Sequence, residues 1–181
     1  GHAGDAVAEV ARRIDPEIRI VRQEEQLGTA HAVRQAEPEL ADLEGDVIVL
    51  YADTPLVRPE TLQAMLDART GGAEIVVLGF EAADPGHYGR LITRDGELEA
   101  IVEAKDATPE QLAVSFCNSG LLVADTATLV SLLAEVGNEN ARGEFYLTDV
   151  VGLARARGLR TAAISCAETE TLGVNSRRDL A

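Results

Sequence analysis

Two unbroken apolar runs of strand length, Val47-Ile48-Val49-Leu50 and Ile75-Val76-Val77-Leu78-Gly79-Phe80, enclose a segment of helix length that Pro59 opens and Gly71-Gly72 closes. A run without polar alternation needs cover on both faces, as in a parallel sheet sandwiched between helices. Leu62, Met65 and Leu66 share one face of the intervening helix, so the three segments read as a βαβ unit with a right-handed crossover. The architecture is therefore α/β, with helices on both faces of a mostly parallel sheet. The 181 residues suit one compact unit, and an interior of Val, Leu, Ile and Ala with 3% aromatics and no Trp suits the same class.

The flanking segments extend this pattern. Val7, Val10, Ala11 and Ile14 recur at helical spacing before Pro16, and Ile18-Arg19-Ile20-Val21 follows as a short strand. Gly28 breaks the chain ahead of a helix from Thr29 through Ala36. After Phe80 the character changes: Gly89 to Thr93 and Leu98 to Val102 flank Arg94-Asp95-Gly96-Glu97 as a hairpin, so residues 84–113 form a β-rich insertion. A weak helix follows at Thr108 to Leu112. Phe116 to Val123 is a strand interrupted by Asn118-Ser119-Gly120, and Asp125 caps a helix carrying Leu129, Leu132, Leu133 and Val136. Thr148 or Asp149 caps a helix that stops at Gly158, and a strand at Thr161 to Ile164 and a short Leu172-Gly173-Val174 segment complete the domain.

A formal charge of -15 argues against a nucleic-acid partner, whose affinity comes mainly from Lys and Arg neutralising phosphates. A small phosphorylated ligand stays open, since backbone N–H groups, a basic residue and Mg²⁺ can bind it locally. Cys117 and Cys166 lack zinc-site spacing and are expected as free thiols, in keeping with a reducing cytoplasm. No stretch has the apolar length of a membrane span, and Gly1-His2-Ala3-Gly4 does not read as a signal peptide. His31 sits in a helix, His87 in a turn and His2 in a loop, without a third ligand for zinc. The glycine patterns of dinucleotide-binding and P-loop proteins are absent.

Asp53, in Tyr51-Ala52-Asp53-Thr54-Pro55 after the first buried run, is a hard oxygen ligand suited to Mg²⁺, or else a turn residue. Asn175 can supply a second oxygen, although spacing alone does not pair them. Gln23 offers a donor and an acceptor to the edge of a uracil-like ring, and Gly28 and Thr29 offer close backbone approach and free N–H groups; a loop with a helix cap explains them equally. Gly89, Glu103 and Asn118 lie at element ends where they can meet sugar hydroxyls, or serve as a hairpin glycine, a solvated Glu and a turn Asn. Lys105 and Arg90 are basic residues near a phosphate or at the surface, and Tyr146 is core or ligand.

Seven blocks in order carry a stronger likeness: Gln23-x-x-Gln26-Leu27-Gly28-Thr29-Ala30-His31-Ala32, Tyr51-Ala52-Asp53-Thr54-Pro55-Leu56, Tyr88-Gly89-Arg90, Ile101-Val102-Glu103-x-Lys105-Asp106-Ala107, Asn118-Ser119-Gly120, Gly143-Glu144-Phe145-Tyr146-Leu147-Thr148-Asp149 and Gly173-Val174-Asn175-Ser176-Arg177. Together they resemble the uridyltransferase domain of bacterial bifunctional N-acetylglucosamine-1-phosphate uridyltransferase/glucosamine-1-phosphate acetyltransferase. The resemblance covers essentially the whole chain. Ala52 and Ser119 depart from the usual Gly and Thr, both small changes.

That resemblance implies a Rossmann-like nucleotide-diphospho-sugar transferase fold and transfer of UMP from UTP to N-acetylglucosamine 1-phosphate, giving UDP-N-acetylglucosamine and pyrophosphate. Gln23 would bond uracil, with Gly28 and Thr29 against the base. Asp53 and Asn175 would bind Mg²⁺ and serve catalysis. Gly89, Glu103, Asn118 and Asn175 would hold the substrate, and Tyr51 would line the pocket. The implied setting is a cytoplasmic, homotrimeric, multifunctional enzyme feeding peptidoglycan and lipopolysaccharide synthesis, with no nucleic-acid or membrane partner. Family members also carry a first strand with a glycine-rich phosphate loop, a following Lys, and a β-helix acetyltransferase domain. The expectation is therefore that residues 1–181 are a partial nucleotidyltransferase domain with little turnover alone. Another sugar or cytidylyl nucleotidyltransferase, or a nucleotide-sugar-binding domain without catalysis, remains the alternative.

Overall fold

The computed structural model describes residues 4–174. The chain forms α1 (Gly4–Ile14), α2 (Thr29–Arg34), α3 (Glu37–Leu40), β1 (Asp46–Val49), α4 (Pro59–Thr70), β2 (Ile75–Glu81), β3 (Arg90–Arg94) and β4 (Glu97–Val102). It continues as α5 (Pro109–Leu112), β5 (Phe116–Asp125), α6 (Thr126–Leu133), α7 (Asp149–Ala156), β6 (Thr161–Cys166) and a 3₁₀ turn at Glu168–Thr171. The strands make one sheet ordered β4-β3-β5-β2-β6, with β1 also paired to β5.

The sheet is mixed rather than mostly parallel as expected, because β5 runs against every strand it touches. Its Leu122–Asp125 half lies between β1 and β2, both antiparallel to it, while Cys117 faces Arg90 of β3. The parallel pairing is β2 with β6, from Ile75↔Thr161 to Phe80↔Cys166. β1 and β2 thus share a direction, as a βαβ unit requires, but β5 is inserted between them. The polar Asn118-Ser119-Gly120 interruption is a bulge within β5 rather than a break: the register with β2 shifts between Val77 and Gly79, and Gly120 takes φ 90°.

Each sheet face has its own core. On one, Met65 of α4 packs with Val76, Leu78, Leu121 and Val123. On the other, Ile75, Val77, Leu122 and Ala124 meet Leu129, Leu132 and Leu133 of α6 and Val150, Val151 and Ala154 of α7. Successive residues of β2 therefore feed opposite cores, which is why its sequence is apolar from Ile75 to Phe80. Fully burying side chains of this size contributes roughly 1.5–3 kcal/mol each before the entropy cost of ordering them. Arg69 fastens three strand ends: its guanidinium lies 3.0 Å from Asp46, 3.5 Å from Glu74 and 3.9 Å from Asp125.

The strand expected at Ile18-Arg19-Ile20-Val21 is not formed. These residues have no ladder partner among the described residues, and Ile18, Ile20 and Val21 are 40, 39 and 41% exposed. β propensity alone does not make a strand without a neighbour to accept its hydrogen bonds. The α1 helix forms where its periodicity places it, yet Val7, Val10 and Ile14 on its apolar stripe are exposed. The helix expected from Thr29 through Ala36 ends at Arg34, and Pro38 opens α3.

Glu170 is 5% exposed and crowns the start of α4 from across the chain, accepting from Thr61 Oγ1 at 2.6 Å and from the Arg58 backbone N–H at 3.2 Å. Burial pushes its pKa up, but these bonds and the Arg58 guanidinium outweigh it, so the carboxyl lies below its ordinary value. A carboxyl with a lowered folded-state pKa stabilises the fold above its unfolded-chain pKa and loses that contribution as pH falls through the folded value. Glu170→Ala is expected to cost about 1–2 kcal/mol at neutral pH, by analogy with the loss of a helix cap. Denaturant unfolding at pH 7 and pH 3 checks it, and the difference from the parent should shrink at the lower pH.

Candidate nucleotide and sugar cleft

The loops beyond β1, β2 and β6 and the bulge of β5 meet the hairpin insertion around a cleft of about 610 Å³. Thr29, Tyr51, Asp53, Gly89, Glu103 and Asn118, drawn from five separate parts of the chain, all line it. Asn175 lies outside the described residues, as do His2, Ser176 and Arg177. The backbone just before Asn175 is nevertheless anchored beside Asp53, because the Val174 N–H donates to the Asp53 carbonyl at 2.7 Å. Gln23 and Gly28 stand to one side: Gln23 lines a neighbouring hollow of about 320 Å³ with Arg22, Glu24 and Gln26.

The floor of the cleft depends on one glycine. A Cβ on Gly120 would lie 2.0 Å from the Tyr51 ring, so the bulge and the ring fit only with hydrogen at this position. Burial raises the Tyr51 phenol pKa, the charges of Glu103 and Asp53 raise it further, and the Thr29 hydroxyl works in the opposite direction. Asp53 is exposed and its carboxylate has no Lys or Arg partner among the described residues. It lies in the turn that follows β1, where Thr54 donates back to the Tyr51 carbonyl at 3.0 Å through its hydroxyl.

Gly89, Glu103 and Asn118 form a tight group. The Asn118 N–H donates to the Gly89 carbonyl at 2.8 Å, and Asn118 Oδ1 accepts from the Gly120 N–H at 3.0 Å, which leaves the Asn118 NH₂ as the end available to a ligand. A Cβ on Gly89 would sit 3.6 Å from both Asn118 Cβ and Glu103 Oε1, in the space between the two side chains. Thr148, expected as a helix cap, makes no side-chain capping bond and instead donates its hydroxyl to Glu103 Oε1 at 3.2 Å.

Glu103 is half-buried rather than solvated. Burial is the largest influence raising its pKa, the Thr148 hydroxyl opposes it, and the charges of Asp106 and Asp149 add to the rise. Asp149 is raised as well, by burial and then by Asp106. A carboxyl whose folded pKa is raised weakens folding as pH climbs from its unfolded value through the folded one. Glu103→Gln keeps an acceptor for Thr148 and removes that charge. It is expected to raise Tm by roughly 2 °C at pH 8 and to converge with the parent near pH 4, measured by calorimetric scans.

Arg90 is not a surface residue. It is 2% exposed, and its guanidinium donates to the carbonyls of Pro85 and Gly86, at 3.3 and 3.2 Å, and of Tyr88. It shapes the 85–89 turn that carries Gly89, and its guanidinium is engaged by that turn's carbonyls. Lys105 is exposed and, with His87, Arg142 and Tyr146, lines a second hollow that shares Glu103 with the cleft. Tyr146 is half-buried and lines both.

Sequence reasoning missed Arg142 as a lining residue and Phe145 as a main-chain partner. Phe145 takes its backbone N–H to the Leu27 carbonyl at 2.8 Å and accepts from the Ala30 N–H at 2.9 Å. These two bonds clasp the Gly28 loop, and a Cβ on Gly28 would lie 2.5 Å from the Phe145 carbonyl oxygen. Main-chain bonds of this kind carry no side-chain pattern; only the grouping of Glu144-Phe145-Tyr146 hinted at it.

Comparison with known proteins bears on this geometry. The MobA-like NTP transferase domain matches residues 3–141. The chain is 60% identical over 181 residues to "Bifunctional protein GlmU" of Cereibacter sphaeroides and 56% identical to the protein of that name in Ruegeria pomeroyi, in each case over 100% of this chain and 40% of the relative. It thus spans about 40% of the length of these relatives. Among solved structures it superposes on a nucleoside-diphosphate-sugar pyrophosphorylase of Vibrio cholerae with a TM-score of 0.68 at 16% identity, covering 99% of this chain and 75% of the other. An inositol-1-phosphate CTP transferase of T. maritima gives a TM-score of 0.68 at 17% identity, over 99% and 69%. At such identities the likeness concerns the fold, which is the Rossmann-like α/β nucleotidyltransferase arrangement. Among the described residues no helix is long and apolar enough to cross a membrane.

Proposed function

Since the chain belongs to the MobA-like NTP transferase domain family, we propose that its cleft serves the transfer of UMP from UTP to N-acetyl-α-D-glucosamine 1-phosphate, releasing pyrophosphate and forming UDP-N-acetylglucosamine. The observation that carries this reading is the convergence of Asp53 with the Gly89, Glu103 and Asn118 group in one cleft. Gln23 and the Gly28 loop lie beside it, on the side assigned here to the base. The high identity with relatives called GlmU supports the choice of sugar.

In this reading a phosphate oxygen of the sugar phosphate attacks the α-phosphorus of UTP. The new P–O bond forms as the bond to the β-phosphate bridge breaks, and pyrophosphate carries away the electron pair. No covalent enzyme intermediate is needed, so positioning dominates catalysis. The Asn118 NH₂ donates to the sugar's acetamido carbonyl, Glu103 accepts from a ring hydroxyl, and Gly89 leaves room between them. Tyr51 closes the floor.

Mg²⁺ is the metal this chemistry calls for, and Asp53 fits it: a carboxylate without a cationic partner among the described residues, in a cleft where burial and then negative charge raise the pKa of the neighbouring phenol. Asn175 would be the second protein oxygen, delivered by the segment that Val174 ties to Asp53. Bound there, the ion supplies charge neutralisation on the phosphoryl oxygens. The product role in peptidoglycan and lipopolysaccharide synthesis, a cytoplasmic setting and a homotrimeric assembly belong to the same proposal.

The test is pyrophosphate release, with Mg²⁺, by the protein that carries these residues, offering each of four nucleoside triphosphates against N-acetylglucosamine 1-phosphate and glucose 1-phosphate. The expected result is preference for UTP with the N-acetylated sugar. A preference for CTP, or for the unacetylated sugar, would favour a related nucleotidyltransferase instead, and binding of UDP-N-acetylglucosamine without release would favour a non-catalytic role.

A further inference from the structure

We propose that His31 is a positioning residue for base selection, holding the Gln23 carboxamide so that its oxygen is offered to the base and uracil is favoured over cytosine. The inference rests on the nucleotide reading of the Gln23 hollow. Gln23 Nε2 donates to the Gly28 carbonyl at 3.1 Å and lies 3.0 Å from His31 Nδ1. A backbone carbonyl only accepts, so the amide nitrogen must face Gly28; the opposite orientation would set two acceptors against each other. Both N–H bonds of Gln23 are then taken, and His31 Nδ1 must bring a lone pair.

That requirement sets the tautomer, with the ring proton on Nε2. Gln35 Nε2 stands 3.2 Å from His31 Nε2, but its amide is turned by donation to the His31 carbonyl at 3.0 Å. A neutral imidazole has a single acceptor nitrogen, so the ring can receive one of the two amides. Gln23, nearer its ring nitrogen at 3.0 Å against 3.2 Å for Gln35, takes it, and Gln35 keeps its bond to the His31 carbonyl. The ring itself is kept in place on α2 and packs near Phe145, with centroids 6.4 Å apart, the same residue whose backbone clasps the Gly28 loop.

With its nitrogen fixed inward, Gln23 has its oxygen left over, and Gln23 Oε1 has no protein partner among the described residues. An acceptor held in one direction bonds the N3–H of uracil and confronts the N3 lone pair of cytosine. A carboxamide free to turn would serve either base by presenting its NH₂ to cytosine. Selection between the two pyrimidines therefore lies as much in what immobilises Gln23 as in Gln23 itself.

The experiment compares kcat/KM for UTP and CTP, with N-acetylglucosamine 1-phosphate as co-substrate, in the parent protein, His31→Leu and His31→Asn. Leu removes the acceptor; Asn can place its side-chain oxygen near the position of Nδ1. The expected result is a UTP preference about tenfold smaller in His31→Leu, carried by KM for UTP with KM for the sugar phosphate unchanged, and largely recovered in His31→Asn. A ratio unchanged in His31→Leu, or lowered equally in both variants, overturns the proposal. Failure of the underlying reading looks different: the parent itself would then show no preference for UTP.

Discussion

Asp53→Ala leaves the domain folded and lowers turnover about a thousandfold or more. The side chain is exposed and makes no hydrogen bond or ion pair to another described residue, so its removal costs the fold little; the midpoint of thermal unfolding should move by no more than about 2 °C. Its contribution lies in the cleft, where a carboxylate with no cationic partner among the described residues adds to burial and to Glu103 in raising the pKa of the Tyr51 phenol. Loss of a metal-holding oxygen removes several kcal/mol of stabilisation for charge on a transferring phosphoryl group. Steady-state pyrophosphate release and a thermal scan, run on the same preparation, check both halves. An Asp53→Ala protein with unimpaired turnover would remove the metal role from this residue.

Gly28→Ala is expected to act on the opposite side of the site. Gly28 has φ 119°, where L side chains are strained, and the added methyl would lie 2.5 Å from the Phe145 carbonyl oxygen and 2.7 Å from its nitrogen. Neither atom can yield as a flexible side chain would, since both belong to the backbone that clasps Leu27 and Ala30. Strain and overpacking of this kind cost about 2–4 kcal/mol together. The loop's escape is to break the clasp, carrying Gln23's anchoring carbonyl with it. KM for UTP should rise at least about tenfold while KM for the sugar phosphate changes little, because the Gly89, Glu103 and Asn118 group is built on other elements. Initial-rate kinetics with each substrate varied in turn measure the difference.

Much of the frame could be read directly from residues. Pro59 and Gly71-Gly72 bracket α4, Asp95 and Gly96 adopt the positive φ angles of a tight hairpin, and Asp125 accepts from the Thr128 N–H at 2.8 Å as a helix cap. Each of these has a local cause, so neighbouring letters suffice. The direction of β5 was not legible, because an apolar run reports burial and says nothing of which way its neighbours run. Ile18-Arg19-Ile20-Val21 had the composition of a strand without a partner to make it one. Periodicity likewise says nothing about what covers a helix, and the stripe of α1 is exposed.

The cleft residues were legible singly, at the ends of elements where open α/β sheets bind ligands, and the structure brings six of them together. What they do to one another was not. Arg90 reads in the sequence as a basic residue near a phosphate or at the surface, whereas three carbonyls of one turn close around it. Thr148 had the position of a cap and is engaged by Glu103 instead. His31 had no third partner for zinc, and its relation to Gln23 spans a loop whose path no residue pattern specifies.

The central claim is that one cleft holds both the base and the amino sugar, and a crystal structure of the protein bound to UDP-N-acetylglucosamine and Mg²⁺ tests it most directly. The account predicts uracil against Gln23 and Gly28, the acetamido group within hydrogen-bond distance of Asn118, Glu103 on a sugar hydroxyl, and the ion on Asp53. A nucleotide sugar seated elsewhere, or one whose N-acetylglucosamine ring lies away from Gly89, Glu103 and Asn118, would contradict it.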